Sequence, residues 1–243
     1  MVHSRTYRDG VPLTIGVWLV LLLCGASLGR AQTPAPNPPN HMKSKTIVIM
    51  GDSLAAGFGV EPDEAFPALL QKKIADAGWK DTVVNAGVSG DASADGLGRI
   101  DWLLRRRVDV FILELGGNDG LRGIPASETR TNLQAILDRV KAKYPRAQLV
   151  VAGMLMPVNL GADYREAFRK IFPELAAQNR AALVPFLLEG VAAKTELMQP
   201  DRIHPNAAGH RLVAETVWRI LEPLLRQTPG PAAPGEPAAR GEK

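Results

Sequence analysis

Four short stretches hold side chains whose types and spacing suit acyl transfer. Gly51-Asp52-Ser53-Leu54 closes an apolar run and is followed by Ala55-Ala56-Gly57. A serine just past a strand end, among small residues, offers a ligand both its hydroxyl and its backbone N–H. The same residues suit a helix N-cap, a role that Ser and Asp often fill. No Gly-Lys-Ser/Thr is present here, so the stretch is not a Walker loop. Nor does Ser53 sit in a Gly-x-Ser-x-Gly elbow, which argues against the ordinary α/β-hydrolase layout. Asn85-Ala86-Gly87-Val88-Ser89-Gly90-Asp91 and Gly116-Gly117-Asn118-Asp119 follow two further apolar runs. Glycine lets a backbone approach a ligand closely. Gly90 offers a backbone N–H, and the Asn118 amide is a neutral donor suited to an oxyanion. Plain turns use these residue types too.

The fourth stretch is Met198-Gln199-Pro200-Asp201-Arg202-Ile203-His204-Pro205-Asn206. Asp and His three apart in a tight loop let the carboxylate accept from Nδ1–H. That fixes the tautomer and leaves Nε2 free to take a serine proton. His3 and His41 stand near the N-terminus, and His210 falls inside the last helix, where it is expected at the surface. Only His204 combines a nearby acid with a loop that follows a strand. Taken together, the four stretches supply a nucleophile (Ser53), a base (His204) and its orienter (Asp201). Oxyanion donors come from the Ser53 N–H, Gly90 and Asn118. That is a complete acyl-transfer set.

The elements that must position these groups alternate. Apolar runs rich in β-branched residues at Thr46–Met50, Thr82–Val84, Val108–Leu115, Leu149–Leu155 and Leu183–Leu187 predict five buried strands. Between them, apolar residues recur at helical spacing. Phe66, Leu69, Leu70 and Ile74 mark one helix, ended by Gly78. Leu97, Ile100 and Leu104 mark a second, capped by Ser93. Leu133, Ile136, Leu137, Val140 and Tyr144 mark a third, opened by Ser127. Phe168, Ile171, Phe172 and Leu175 mark a fourth, bent at Pro173. Leu212, Val213, Val217, Ile220, Leu221 and Leu224 mark the last. Such a pattern predicts a parallel sheet covered on both faces, with its site at the carboxyl ends of the strands.

Composition bounds the function. The 243 residues are 46% hydrophobic and 22% charged, which excludes a wholly disordered or coiled-coil chain. One cysteine excludes a disulfide framework and a cysteine-rich zinc site. Of the net charge of +4, half sits in residues 1–31; the remainder has 26 basic against 24 acidic residues. No basic block is long enough for a nucleic-acid footprint. Arg5 and Arg8 precede an uncharged run from Val11 to Gly29, and Gly29-Arg30-Ala31 puts small residues at −3 and −1. This is signal-peptide order, with cleavage expected after Ala31. A lipid anchor at Cys24 and an uncleaved anchor are the alternatives. Residues 32–42 read as a Pro-rich linker, 43–227 as the folded domain, and 228–243 as a disordered Pro/Gly/Ala-rich tail.

With these blocks in order, the chain resembles the SGNH, or GDSL, hydrolase superfamily. The likeness spans most of Ile47 to Leu225 and rests on Gly51-Asp52-Ser53-Leu54, Gly90, Gly116-Gly117-Asn118-Asp119 and Asp201 to Pro205. Glu114 to Gly123 and Met198 to Asn206 make it most similar to the bacterial thioesterase I/lysophospholipase and arylesterase group. The resemblance implies a three-layer α/β/α, flavodoxin-like fold with a five-stranded parallel sheet. It also implies a periplasmic or secreted monomer that needs no metal or other cofactor. The expected partner is a small acyl ester or thioester, with neither nucleic acid nor a membrane as a stable partner once the signal is removed. Gly120 to Pro125, with Gly120, Leu121 and Arg122, is implied as a mobile substrate loop. Met154 to Pro157, with Met156 and Pro157, is implied as the wall of an acyl groove. A carbohydrate O-acetylesterase on the same scaffold is the nearest alternative. A non-catalytic flavodoxin-like module is the alternative from another class.

Overall fold

Ile47, Val48, Ile49 and Met50 are consecutive and all fully buried. Successive strand residues point to opposite faces, so this strand is covered on both sides. It is β1 (Thr46–Gly51), and it lies inside a five-stranded sheet. The others are β2 (Thr82–Gly87), β3 (Val110–Glu114), β4 (Gln148–Ala152) and β5 (Ala182–Val184). All pairings are parallel, in the order β2-β1-β3-β4-β5. The structure is a computed structural model that describes residues 44–227. The expected leader, linker and tail lie outside the described residues.

Two larger helices, α2 (Phe66–Asp76) and α7 (Ala207–Arg226), pack on each other. Three more, α3 (Ser93–Leu103), α5 (Ala126–Lys143) and α6 (Ala162–Asn179), pack in sequence, α3 on α5 and α5 on α6. Right-handed crossovers in this strand order put the two groups on opposite faces of the sheet. The chain leaves β1 in one direction, to β2, and then returns past it to β3. The switch point therefore lies between β1 and β3. The turns after those strands start two short helices, α1 (Ser53–Ala56) and α4 (Gly117–Leu121). Among the described residues no helix is long and apolar enough to cross a membrane.

Several local expectations change. Ser93 does not cap α3: Ala92 holds that position, and its N–H donates to Asp95 at 2.9 Å. The Ser93 hydroxyl donates instead to buried Asp119. Ser127 lies in the first turn of α5, behind Pro125 at the cap position. The strand at Ala182 stops at Val184 because Pro185 has no N–H for the ladder. Proline 173 lies inside α6, which continues through it. His210 is 1% exposed, not at the surface. It shares a helical face with Val213, Ala214 and Val217, which looks toward α2. There its Nδ1 accepts from the Phe66 N–H at 3.3 Å. Leu212 falls off that stripe and is exposed.

Candidate active site

β1 delivers the serine. Asp52 caps α1, its Oδ1 accepting from the Leu54 N–H at 3.0 Å, so the cap is the aspartate and the Ser53 side chain is free to reach elsewhere. Ser53 Oγ lies 2.8 Å from His204 Nε2. His204 Nδ1 lies 2.7 Å from Asp201 Oδ2. A carboxylate beside Nδ1 keeps the proton there and leaves Nε2 to accept from the serine. The other Asp201 oxygen accepts from the Ile203 and His204 N–H groups at 2.9 and 3.0 Å. Burial pushes the Asp201 carboxyl up, but the His204 ring and these N–H groups outweigh it and hold the carboxyl at about 2.

The loop that carries Asp201 and His204 is tied at both ends. Met198 and Pro205 form an antiparallel bridge, and the Gln199 N–H donates to the His204 carbonyl at 2.7 Å. Gln199 Nε2 also donates to the Phe58 carbonyl at 2.6 Å and to Pro205 at 2.9 Å. This brings the Phe58 ring over the imidazole, with centroids 4.7 Å apart. Asn206 then caps α7, accepting from Gly209 at 3.0 Å.

Hydrogen bonds tie the segments that carry the expected oxyanion donors to the serine turn. Neither the Ser53 nor the Gly90 backbone N–H has an acceptor among the described residues. Gly90 sits at a φ of 90°, a conformation that glycine takes at little cost. Asn118 Nδ2 donates to the Asp91 carbonyl at 2.9 Å and more distantly, at 3.3 Å, to Asp52 Oδ2. An oxyanion would share or displace the longer of these. Behind Asn118, buried Asp119 accepts from Ser93 and Thr129, which fixes the turn.

Expectations for the substrate loop divide. Gly120 and Leu121 are helical, in α4, and Gly120 is buried: a Cβ there would overlap the Met156 sulfur. Arg122 is spent partly on the Gly90 carbonyl, at 2.8 Å. Tyr164 Oη holds the following turn through the Ile124 carbonyl at 2.8 Å. Met156 is nearly buried under α4, whereas Leu121 and Pro157 are exposed. Among the described residues no group of three or more His, Cys, Asp or Glu could hold a metal ion.

Residues 49–212 match the GDSL-like lipase/acylhydrolase family. The chain belongs to this family. An esterase, TesA, from Pseudomonas aeruginosa is 42% identical to it over 183 residues, 75% of this chain and 90% of the relative. The Escherichia coli K12 protein named thioesterase 1/protease 1/lysophospholipase L1 is also 42% identical over 183 residues, covering 74% and 85%. A crystal structure of a psychrotrophic esterase from Pseudoalteromonas, inhibited by monoethylphosphonate, superposes with a TM-score of 0.71. It is 32% identical, covering 76% of this chain and all of that one.

In this GDSL-like hydrolase the sequence reading missed what four residues do around the Ser53–His204 pair. They are Phe58 over the imidazole, Gln199 bridging two loops, and the buried carboxyls of Asp52 and Glu114. Burial pushes the Asp52 carboxyl up to about 6 and Glu114 well above the usual range. Glu114 had a legible signal, a lone acid in the run Val110-Phe111-Ile112-Leu113-Glu114-Leu115.

Proposed function

We propose that the protein is a serine esterase and thioesterase whose working residues are Ser53, His204 and Asp201. One observation carries the reading: the relay from Asp201 Oδ2 through the imidazole to Ser53 Oγ, with steps of 2.7 and 2.8 Å. Ser53 Oγ attacks the carbonyl carbon of an ester or thioester. His204 Nε2 takes the hydroxyl proton and gives it to the departing alcohol or thiol. Water then enters by the same route and releases the acid, returning Ser53. The Ser53 and Gly90 N–H groups and the Asn118 amide hold the oxyanion. Removal of one such donor typically lowers turnover about 100- to 1,000-fold.

The substrate class follows from the rim. Phe58, Val88, Leu121, Leu155, Val158 and Ile203 are large, apolar and exposed. Each lies in a segment that follows a different strand end or shares one, all at the edge where Ser53 sits. Such a rim suits an acyl chain and offers a sugar few partners. Met156 and Pro157 border it with Leu121, while Gly120 and Arg122 shape the turn behind. The names of the relatives, esterase, thioesterase and lysophospholipase, point the same way. The chain acts as an exported monomer, periplasmic or secreted, after cleavage behind Ala31. A panel of p-nitrophenyl esters of increasing length, with acyl-CoAs, a lysophospholipid and an acetylated sugar, tests this. Turnover of acyl esters or thioesters, with acetylated sugar much poorer, is the expected result. Activity on acetylated sugar alone would contradict it.

A further inference from the structure

Glu114 is the one titratable side chain in the five strands, and it is fully buried at the carboxyl end of β3. It stands in register with Gly51, next to the serine turn. Its Oε2 accepts from the Asp52 N–H and the Ala55 N–H, each at 3.2 Å. These two groups bracket Ser53. A Cβ at position 51 would overlap that oxygen, so the glycine is what lets the carboxyl lie against the turn. Its Oε1 is buried and has no partner.

We infer that Glu114 is a positioning residue for Ser53: its Oε2 clamps the N–H groups on either side of the nucleophile, and the reach of the carboxyl, not its charge, does the work. The inference rests on the acyl-transfer reading of Ser53. Burial and the neighbouring Asp52 both favour the neutral acid at Glu114. The unpartnered Oε1 is then the hydroxyl, and Oε2 is the carbonyl oxygen that accepts. A neutral acid also keeps a second anion away from the place where the oxyanion forms. Asp52 is the charged group acting on Glu114; Asp52 itself feels His204, Asp91 and Asp119. Arg99 reaches the turn only at the Gly51 carbonyl.

Glu114→Gln and Glu114→Asp separate reach from charge. Glutamine keeps a neutral acceptor at the same distance. Aspartate keeps the acid but is one methylene too short for Asp52 N and Ala55 N. Competent sites are counted by exhaustive fluorophosphonate labelling, and kcat and KM of a p-nitrophenyl ester are expressed per labelled site. We expect Glu114→Gln to stay near wild type and Glu114→Asp to lose about 100-fold in kcat at unchanged KM, as a misplaced reacting atom would. If Glu114→Asp does not accumulate as folded protein, Glu114→Met fills the volume without an acceptor and should show the same loss. Wild-type turnover per site in the Asp or Met variant, whatever its melting temperature, would reduce Glu114 to a structural role and overturn the inference. So would a loss in Glu114→Gln as large as in Glu114→Asp. In either case a labelled, active wild type leaves the acyl-transfer reading standing; an unlabelled wild type would end both.

Discussion

Around Ser53, two adjacent residues divide two tasks that either side chain could perform. Ser and Asp both cap helices, so composition left the division open, and the hydrogen bonds decide it. Asp52 Oδ1 takes the Leu54 N–H, and Ser53 Oγ turns to His204. In urea unfolding at pH 3, where the Asp52 carboxyl carries little charge folded or unfolded, Asp52→Ala should therefore cost about 1 kcal/mol of stability as a lost cap, whereas Ser53→Ala should leave the melting temperature nearly unchanged. The Asp201–His204 pair was legible because both partners lie in one loop, three residues apart. No backbone carbonyl takes His204 Nδ1 among the described residues, so at that nitrogen Asp201 alone holds the proton. Asp201→Asn can keep the loop through Oδ1 but presents an N–H to Nδ1. Steady-state assays at neutral pH should show a fall in turnover of about 10,000-fold with the fold retained. A loss under tenfold would mean that another group holds the ring. Phe58 was not legible. Nothing in Phe58-Gly59-Val60 signals a partner that lies 146 positions along the chain; only the fold brings it over the imidazole.

Strands and helices were read from periodicity, and periodicity says which residues are apolar, not where hydrogen bonds stop. Hence all five strands were found, yet β3, β4 and β5 are shorter than their apolar runs. Residues outside the shared register at either end, such as Val108 and Met154, are buried by packing without ladder bonds. Histidine 210 shows the other limit. A polar residue on an apolar helical face is easily assigned to the surface, yet α7 buries it against Phe66. Burial pushes its pKa down to about 4, against the pull of Glu64. In the unfolded chain the ring takes a proton near 6.5. Between these values the unfolded state binds more protons, so stability falls as pH drops from 6.5 to 4 and levels below that. The full loss is on the order of 3 kcal/mol. Asp52 acts with the opposite sign: its folded carboxyl keeps a proton up to about 6, so it costs stability as pH rises from 3.8 to 6. His210→Gln isolates the histidine. Urea unfolding at pH 7 and pH 4 should show a stability gap to wild type that shrinks in acid. A gap of equal size at both pH values would mean that His210 is not held neutral.

Across the whole molecule, the proposed site draws on segments after every strand. Ser53 follows β1, Gly90 follows β2, Asn118 follows β3, Met156 follows β4, and His204 lies in the long loop after β5. No single stretch of sequence is diagnostic; their order along an alternating chain is, because a parallel sheet gathers all such loops at one edge. The proposed export of the chain is tested by N-terminal sequencing of protein from the periplasm or medium. It should begin at Gln32, and a start at a lipidated Cys24 would replace cleavage with anchoring. The central claim is that Ser53 is a nucleophile activated by His204. Intact mass and peptide mapping after reaction with a fluorophosphonate test it most directly. The account predicts one adduct per chain, on Ser53, with esterase activity lost in proportion and with no adduct and no turnover in Ser53→Ala. Full turnover in pure Ser53→Ala, or inactivation with the adduct on another residue, would contradict it.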